Sequence, residues 1–305
     1  MSVEFRSERP GDEEAIGVVE CRAFGSMCHA NLVAAYRRHY PAFDRNYSLC
    51  AWDGDELVGH ALFLPFETTL LGGQTKAMAL AIDGVIPERQ RQGIGTALNR
   101  HGLHLARQDG FAVAVTNGGG YYARFGYHGC FGFAHILFEH NALPKPTEKL
   151  SAWPVTAADL DWLVECHQRE WTGVDFAWHR GKDLREWRAP FCRTEIWRTT
   201  DGRRAAYAEG LSDGRDWHLI LGDNPVLVRD AIATIKPRAL QQHPRGWLAQ
   251  QVIAPSWATA QSERSGAALA CELQPGVLGP YLAELEQGKR LPGSFVWPLP
   301  LAVCS

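Results

Sequence analysis

The stretch from Ala77 to Gly102, AMALAIDGVIPERQRQGIGTALNRHG, constrains the fold of this chain most. From Ala77 to Ile86 it is apolar on both faces except at Asp83, the pattern of a central strand. From Ile94 onward, Ile94, Ala97, Leu98, His101 and Leu105 recur at helical spacing, and the pattern ends near Asp109-Gly110. Between strand and helix stand Pro87, Arg89, Gln90, Arg91 and Gln92, then Gly93-Ile94-Gly95. A turn that only closes a strand needs one or two glycines. So polar an approach implies that the backbone here meets something charged.

A glycine-rich turn leading into a helix leaves several N–H groups unpaired and pointing one way, with the positive end of the helix dipole behind them. Glycine at 93 and 95 removes the Cβ atoms that would hold a ligand away, while Arg89, Arg91 and Gln92 supply further donors. The arrangement suits a pyrophosphate, although a plain helix-capping turn has the same GxG. A dinucleotide fingerprint would need a third glycine where Leu98 stands, and a Walker loop would need GK[ST]. Neither is present.

Elsewhere the chain reads as an ordinary globular protein of 305 residues, 46% hydrophobic and 21% charged, long enough for two domains. Thirty-one Lys and Arg nearly balance 34 Asp and Glu without a block of like charge, which argues against general binding to nucleic acid or anionic membranes. The N-terminus MSVEFRSERPGDEEAIG has no signal-peptide pattern and no apolar run would span a bilayer, so the expected location is cytoplasmic. The eight cysteines make no CxxC pair, and they read as small buried residues rather than zinc ligands or a disulfide framework. No metal site is expected, because His101 and His104 on the helix and His128 and His135 beside the last strand fall into no ligand spacing.

Along the chain, VEFR reads as a strand and GDEEAIGVVECRAFG as an amphipathic helix with acidic residues in its first turn and Gly25 at its end. Residues 28–40 form a second helix, and Asp53-Gly54 a hairpin. After the glycine turn and its helix come a buried strand, FAVAV, a short helical turn, YYARFG, and a last strand, CFGFAHILFE. The fold class is therefore α/β in the α+β sense, with a mixed, mainly antiparallel sheet flanked by helices over residues 1–140. NALPKPTEK, residues 141–149, marks a polar, proline-bearing linker taken as 141–150. Beyond it the pattern restarts over 151–305. LVECHQREW echoes VVECRAF, aligning Val164, Glu165 and Cys166 with Val19, Glu20 and Cys21, and Asp201-Gly202 repeats the Asp53-Gly54 hairpin at nearly the same offset. The second copy has no QRQGIG, since WHLILGDNPVLVRDAIATI passes through Pro225 straight into a helix; it is expected to be degenerate. Most of the tryptophans fall in this half, as packing residues or as aromatic walls of a cleft between the halves.

VIPERQRQGIGTAL, with Val85, Pro87, Gln90, Gly93 and Gly95, resembles the acetyl-coenzyme A loop of the Gcn5-related N-acetyltransferases (GNAT), [QR]xxGx[GA] after a strand ending VxP. YYARFGY resembles the same family's [FY]YxxxGF signature, in which the tyrosine four residues before glycine protonates the departing thiolate; that position is Tyr122, before Gly126. The resemblance covers residues 3–140 and is nearest to the enhanced intracellular survival subgroup. Those proteins fuse an active acetyltransferase domain to a degenerate copy and add a sterol-carrier-like domain, which this chain, about one domain shorter, lacks.

The resemblance implies an acetyl-coenzyme A-dependent acyltransferase, with the cofactor held by Gly84, Val85 and Ile86, by Gln90, Arg91, Gln92, Gly93, Ile94, Gly95 and Thr96, and by Asn117 and Gly118. It implies direct attack by a primary amine on the thioester, with Tyr122 as general acid and a backbone N–H near Val85 for the oxyanion. The expected acceptor is a small-molecule amine, a protein amine being compatible. The terminal carboxylate of Ser305 is a candidate proton acceptor by the same analogy. Asp83, a carboxylate on an apolar strand, either accepts the amine proton or holds an arginine. The catalytic Glu that many relatives carry two residues earlier is Ala81 here, and the turn from Asn117 to Tyr122 is shorter than usual. The competing expectation is a coenzyme A-binding regulatory or structural protein whose chemistry has lapsed.

Overall fold

The computed structural model describes residues 3–188, 192–211 and 217–295. In the first half the elements run β1 (Glu4–Ser7), α1 (Glu13–Phe24), α2 (Met27–His39), β2 (Ser48–Asp53), β3 (Glu56–Leu70), β4 (Gly73–Val85), α3 (Ile94–Gln108), β5 (Val113–Asn117), β6 (Tyr127–Gly129) and β7 (Gly132–Phe138). The second half continues with β8 (Leu150–Pro154), α4 (Leu160–Trp171), α5 (Leu184–Trp187), β9 (Cys192–Thr199), β10 (Arg204–Leu211) and β11 (Trp217–Leu221). It ends with α6 (Pro225–Ile235), β12 (Ala239–Leu240), α7 (Trp247–Gln251), β13 (Ala258–Arg264), β14 (Ala268–Glu272) and α8 (Gly279–Glu286).

The first sheet has the order β1-β2-β3-β4-β5-β14-β6 and is antiparallel except between β4 and β5. That parallel pair is registered only from Ala77–Ala79 to Val113–Val115, after which β4 runs on to Val85 paired with β3 alone. At the fork the Thr116 hydroxyl donates to Leu80 O at 3.0 Å. The strands part there, leaving the end of β4 with an open edge. Helices α1 and α2 cover one face of the sheet and α3 the other. Gly102 lets α3 close on the Phe63 ring, since a Cβ would stand 2.2 Å from it. Gly59 makes similar room for Ile94.

A four-stranded antiparallel sheet, β11-β10-β9-β8, and a three-stranded one, β12-β7-β13, make up the second layer of strands. The succession β8-β9-β10-β11, then α6, then β12 follows the same order as β1-β2-β3-β4, α3 and β5. The fork between β11 and β12 is closed by the buried Gln242 side chain, which bonds both N and O of Ile220 at 2.9 Å. The two halves trade strands. β14 sits between β5 and β6 in the first sheet, while β7 sits between β12 and β13. Both traded strands carry small residues where they pack, Ala268, Ala270 and Cys271 on β14 and Gly132 and Ala134 on β7. A Cβ at Gly132 would stand 1.7 Å from Glu263 O. The linker is docked as well: Thr147 Oγ1 and Glu148 N both donate to Asp230 on α6, at 2.6 and 2.9 Å.

The Asp53-Gly54 and Asp201-Gly202 hairpins and the helical turn ending at Gly126 form where expected. The α1–α4 echo is not kept as a burial register, because Glu20 is fully buried while Glu165 is exposed. Trp171, Trp187, Trp217 and Trp257 pack in the cores, whereas Trp178 stacks on Phe66 at 4.3 Å beside a cleft between the halves. Cys50, Cys130, Cys166 and Cys271 are buried free thiols. Among the described residues no helix is long and apolar enough to cross a membrane, and no three His, Cys, Asp or Glu are placed to hold a metal.

Candidate active site

The open end of β4 and the N-terminus of α3 face one another across two adjoining spaces. The larger, about 540 Å³, is a cleft lined by Val85, Arg89, Gln90, Arg91, Gly93, Ile94, Gly95, Thr96, Tyr121 and Arg124. The smaller, about 250 Å³, is lined by His60, Asp83, Gly84, Val85, Gly95, Leu98 and Tyr121. Val85, Gly95 and Tyr121 are common to both.

The loop is shaped by two left-handed residues, Arg91 with φ 60° and Gly93 with φ 85°, the latter capping α3. Among the described residues no side chain caps the helix, which leaves the first-turn N–H groups without an acceptor there. Internal bonds hold the loop in shape. Gln90 Nε2 donates to Val85 O at 3.1 Å, Gln92 Nε2 to Glu88 O at 3.2 Å, and Arg89 Nε to Gln92 Oε1 at 3.1 Å, with its guanidinium paired to Asp53. Arg91 and Arg124, by contrast, form no salt bridge among the described residues. Arg124 lies 4.6 Å over the Tyr121 ring and donates to Tyr121 O. At Gly95 a Cβ would stand 3.2 Å from the Tyr121 hydroxyl. A cleft with two unpaired guanidiniums, free helix-start amides and glycines at the closest approach is suited to a diphosphate.

Deeper in, Tyr122 donates its phenolic hydrogen to Asp83 Oδ1 at 2.7 Å, and Asn99 Nδ2 donates to Asp83 Oδ2 at 2.8 Å. Asp83 is therefore fixed by a phenol and an amide, and holds no arginine among the described residues. The Tyr122 ring lies against Gly118, where a Cβ would stand 2.2 Å from its edge. Burial first, and then the Asp83 charge, push the Tyr122 phenol well above the ordinary tyrosine range.

On the opposite face of β4, Gly84 packs against α1. A Cβ there would stand 2.9 Å from Ala23 Cβ and 3.1 Å from Glu20 Oε2. Glu20 and His60 are both fully buried, and Glu20 Oε1 meets His60 Nδ1 at 2.5 Å. His60 Nε2 lies 2.9 Å from Ser48 Oγ, which donates to Glu8 Oε2 at 2.6 Å, and Glu8 is clasped by Arg37 and Arg45. The connectivity Glu20–His60–Ser48 is that of a nucleophile triad, but Ser48 is buried and its hydrogen is committed to Glu8, so it is no nucleophile.

Of the residues expected from sequence, Tyr122 and Asp83 are in contact. Val85, Gln90, Arg91, Gly93, Ile94, Gly95 and Thr96 line the cleft, and Gly84 lines the smaller cavity. Gln92 bonds within the loop instead of lining the cleft. Ile86 is buried, with its N–H on Val58 O at 3.1 Å. Asn117 pairs with Ala268, and Gly118 N donates to Ala267 O at 2.8 Å, so both serve the strand junction. His135 faces Gln261 in the other sheet. Ser305 lies outside the described residues. Sequence reading missed Asn99, Tyr121, Arg124, and the Glu20–His60 pair. For the pair the available signal was two ionisable residues on otherwise buried faces of α1 and β3.

Residues 5–130 match the acetyltransferase (GNAT) domain family, in the form designated Acetyltransf_9. An uncharacterized N-acetyltransferase of Escherichia coli K12, YjhQ, is 36% identical over 152 residues, 49% of this chain and 81% of its own length. Among solved structures, a GCN5-related N-acetyltransferase from Kribbella flavida superposes with a TM-score of 0.66 at 17% identity, covering 89% of this chain and 72% of that one. Eis1 from Mycobacterium abscessus does so with a TM-score of 0.60 at 16% identity, covering 89% and 74%. At such identities the two structures speak for the fold.

Proposed function

This chain belongs to the GNAT family of acetyl-coenzyme A-dependent N-acetyltransferases, and from that premise we propose that it acetylates a primary amine by direct attack in a ternary complex, with Tyr122 as general acid. The observation that carries the reading is the contact between Tyr122 and Asp83 beside a cavity that opens into the α3 cleft. The Gly93–Thr96 amides with Arg91 and Arg124 would hold the cofactor's diphosphate, and Val85 and Gly95, common to both spaces, would line the way of its acyl end.

Holding thioester and amine together supplies much of the acceleration. As the C–S bond breaks, the Tyr122 hydroxyl turns from Asp83 Oδ1 to the leaving sulfur. The phenol keeps its proton throughout the working range, because burial and Asp83 oppose ionisation. Asn99, on Oδ2, holds Asp83 in place when the phenol leaves Oδ1. The second half, read as a degenerate copy of the first, contributes β14 rather than a second cofactor loop.

Free thiol release from acetyl-coenzyme A with a panel of amines tests the reading. Release above background that requires amine supports it. Tight cofactor binding without release is the outcome of the lapsed, coenzyme-sensing alternative.

A further inference from the structure

Building on that acetyl-transfer reading, we infer that Glu20 on α1 is the proton acceptor for the attacking amine, and that the acceptor is a cationic aliphatic amine delivered to the α1 face of β4.

The hydrogen-bond chain fixes its own polarity. Glu8 accepts from Arg37 Nε and Nη2 and from Arg45 Nε, so it is a carboxylate and Ser48 must donate to it. The Ser48 hydrogen being spent, His60 Nε2 must donate to Ser48 Oγ at 2.9 Å. One proton then bridges His60 Nδ1 and Glu20 Oε1 at 2.5 Å. Glu20 Oε2 keeps both lone pairs, and it is buried with no partner among the described residues. An orphaned carboxylate oxygen is costly unless a ligand or a proton meets it.

Its location matches that role. Oε2 lies 3.1 Å from where a Cβ would stand on Gly84, and Gly84 and His60 line the cavity that Asp83 also lines. Asp83 and Gly84 are neighbours on β4 pointing to opposite faces, one to Asn99 of α3 and the other to Glu20 of α1. The leaving group is thus served on one side of the strand and the nucleophile on the other. Among the described residues no lysine or arginine lines this cavity, and its one lining carboxylate, Asp83, suits a cation.

The protons balance. R–NH3+ gives one proton to Glu20 Oε2 and becomes R–NH2; nitrogen attacks the thioester carbonyl, the C–N bond forms and the C–S bond breaks. Tyr122 protonates the sulfur. The second amine proton returns to the Tyr122 oxygen, and Glu20 releases its proton to water as product leaves. The titratable and charged groups around Glu20 are His60 on β3, Asp83 on β4, and, through Ser48, Glu8 with Arg37 and Arg45; His29 of α2 stacks on Phe24 beside Gly84.

The test is the pH profile of kcat/KM for an aliphatic diamine in wild type, Glu20→Gln and Glu20→Asp, with acetyl-coenzyme A affinity measured for each. Glu20→Gln is expected to lose about 100-fold at neutral pH. It should then climb about tenfold per pH unit toward the amine's own pKa near 10, where only free amine reacts. Wild type should level off earlier, and Glu20→Asp should retain that earlier plateau at reduced height. Wild-type behaviour of Glu20→Gln, or a uniform loss with the plateau unmoved, overturns the role. Should Glu20→Gln no longer bind cofactor, the plateau of Glu20→Asp decides: kept, it supports the role; lost, it overturns it. Absence of transfer by wild type with every amine would sink the acetyl-transfer reading itself.

Discussion

Replacing Tyr122 by phenylalanine removes one oxygen and leaves the ring on Gly118. Among the described residues that oxygen has a single partner, Asp83 Oδ1 at 2.7 Å, and Asp83 keeps Asn99 on its other oxygen. A hydrogen bond to a charged group contributes about 1.5–3 kcal/mol, so the variant should stay folded and melt a few degrees lower. Positioned proton transfer contributes about 10²–10⁴-fold, so kcat should fall by at least about 100-fold. Cofactor affinity should be unchanged, since Tyr121, and not Tyr122, lines the cleft. Because the Tyr122 pKa is raised, the wild-type protein should show no alkaline loss of kcat from this group below about pH 10. A thiol-reactive dye follows coenzyme A release, and calorimetry reports acetyl-coenzyme A binding. A Tyr122→Phe protein within twofold of wild-type kcat would refute the assignment, as would one whose loss lies wholly in cofactor affinity.

Gly118→Ala places a methyl where the Tyr122 ring lies, 2.2 Å from its edge, and should lower kcat about tenfold or more in the same thiol assay without altering cofactor affinity. Arg91→Ala and Arg124→Ala should each weaken coenzyme A binding about tenfold, with a shallower salt dependence by calorimetry; equal affinity at all salt concentrations would exclude them from the diphosphate site. Glu170 is fully buried, and burial raises it to about 8, so it folds protonated. The unfolded chain releases this proton above about pH 4.3 and the folded one only near pH 8, so stability from this group is whole in acid and is lost as pH rises between them, at about 1.4 kcal/mol per unit; Glu170→Gln should flatten that slope in urea titrations.

What the sequence disclosed is what local chemistry dictates. Gly54, Gly93, Gly126 and Gly202 all adopt positive φ at the turns that their surroundings announced, and the apolar run before Pro87 became a strand deep in the sheet. Features depending on distant partners were not legible. Asn99 looks like an ordinary polar residue of a helix until Asp83 meets it across the sheet face. Glu20 served as a landmark for an internal repeat, yet its burial comes from His60, which only the packing of α1 on β3 supplies. The strand exchange is the extreme case. β14 reads as one more small apolar run, and nothing within it says that it belongs beside β5, more than 140 residues earlier in the chain.

That exchange also ties the second half to a site that none of its described residues lines. The turn carrying Tyr122 hangs between β5 and β6, which do not pair with each other; β14 lies between them and bonds to both. Gly118 N is held by Ala267 O at 2.8 Å, and the Cys271 thiol donates to Phe125 O at 3.3 Å, so the turn is fastened at both ends by residues of the second half. The β4–β5 fork lies on the other edge of β5, where pairing ends at Ala79–Val115 and Thr116 bonds Leu80 O.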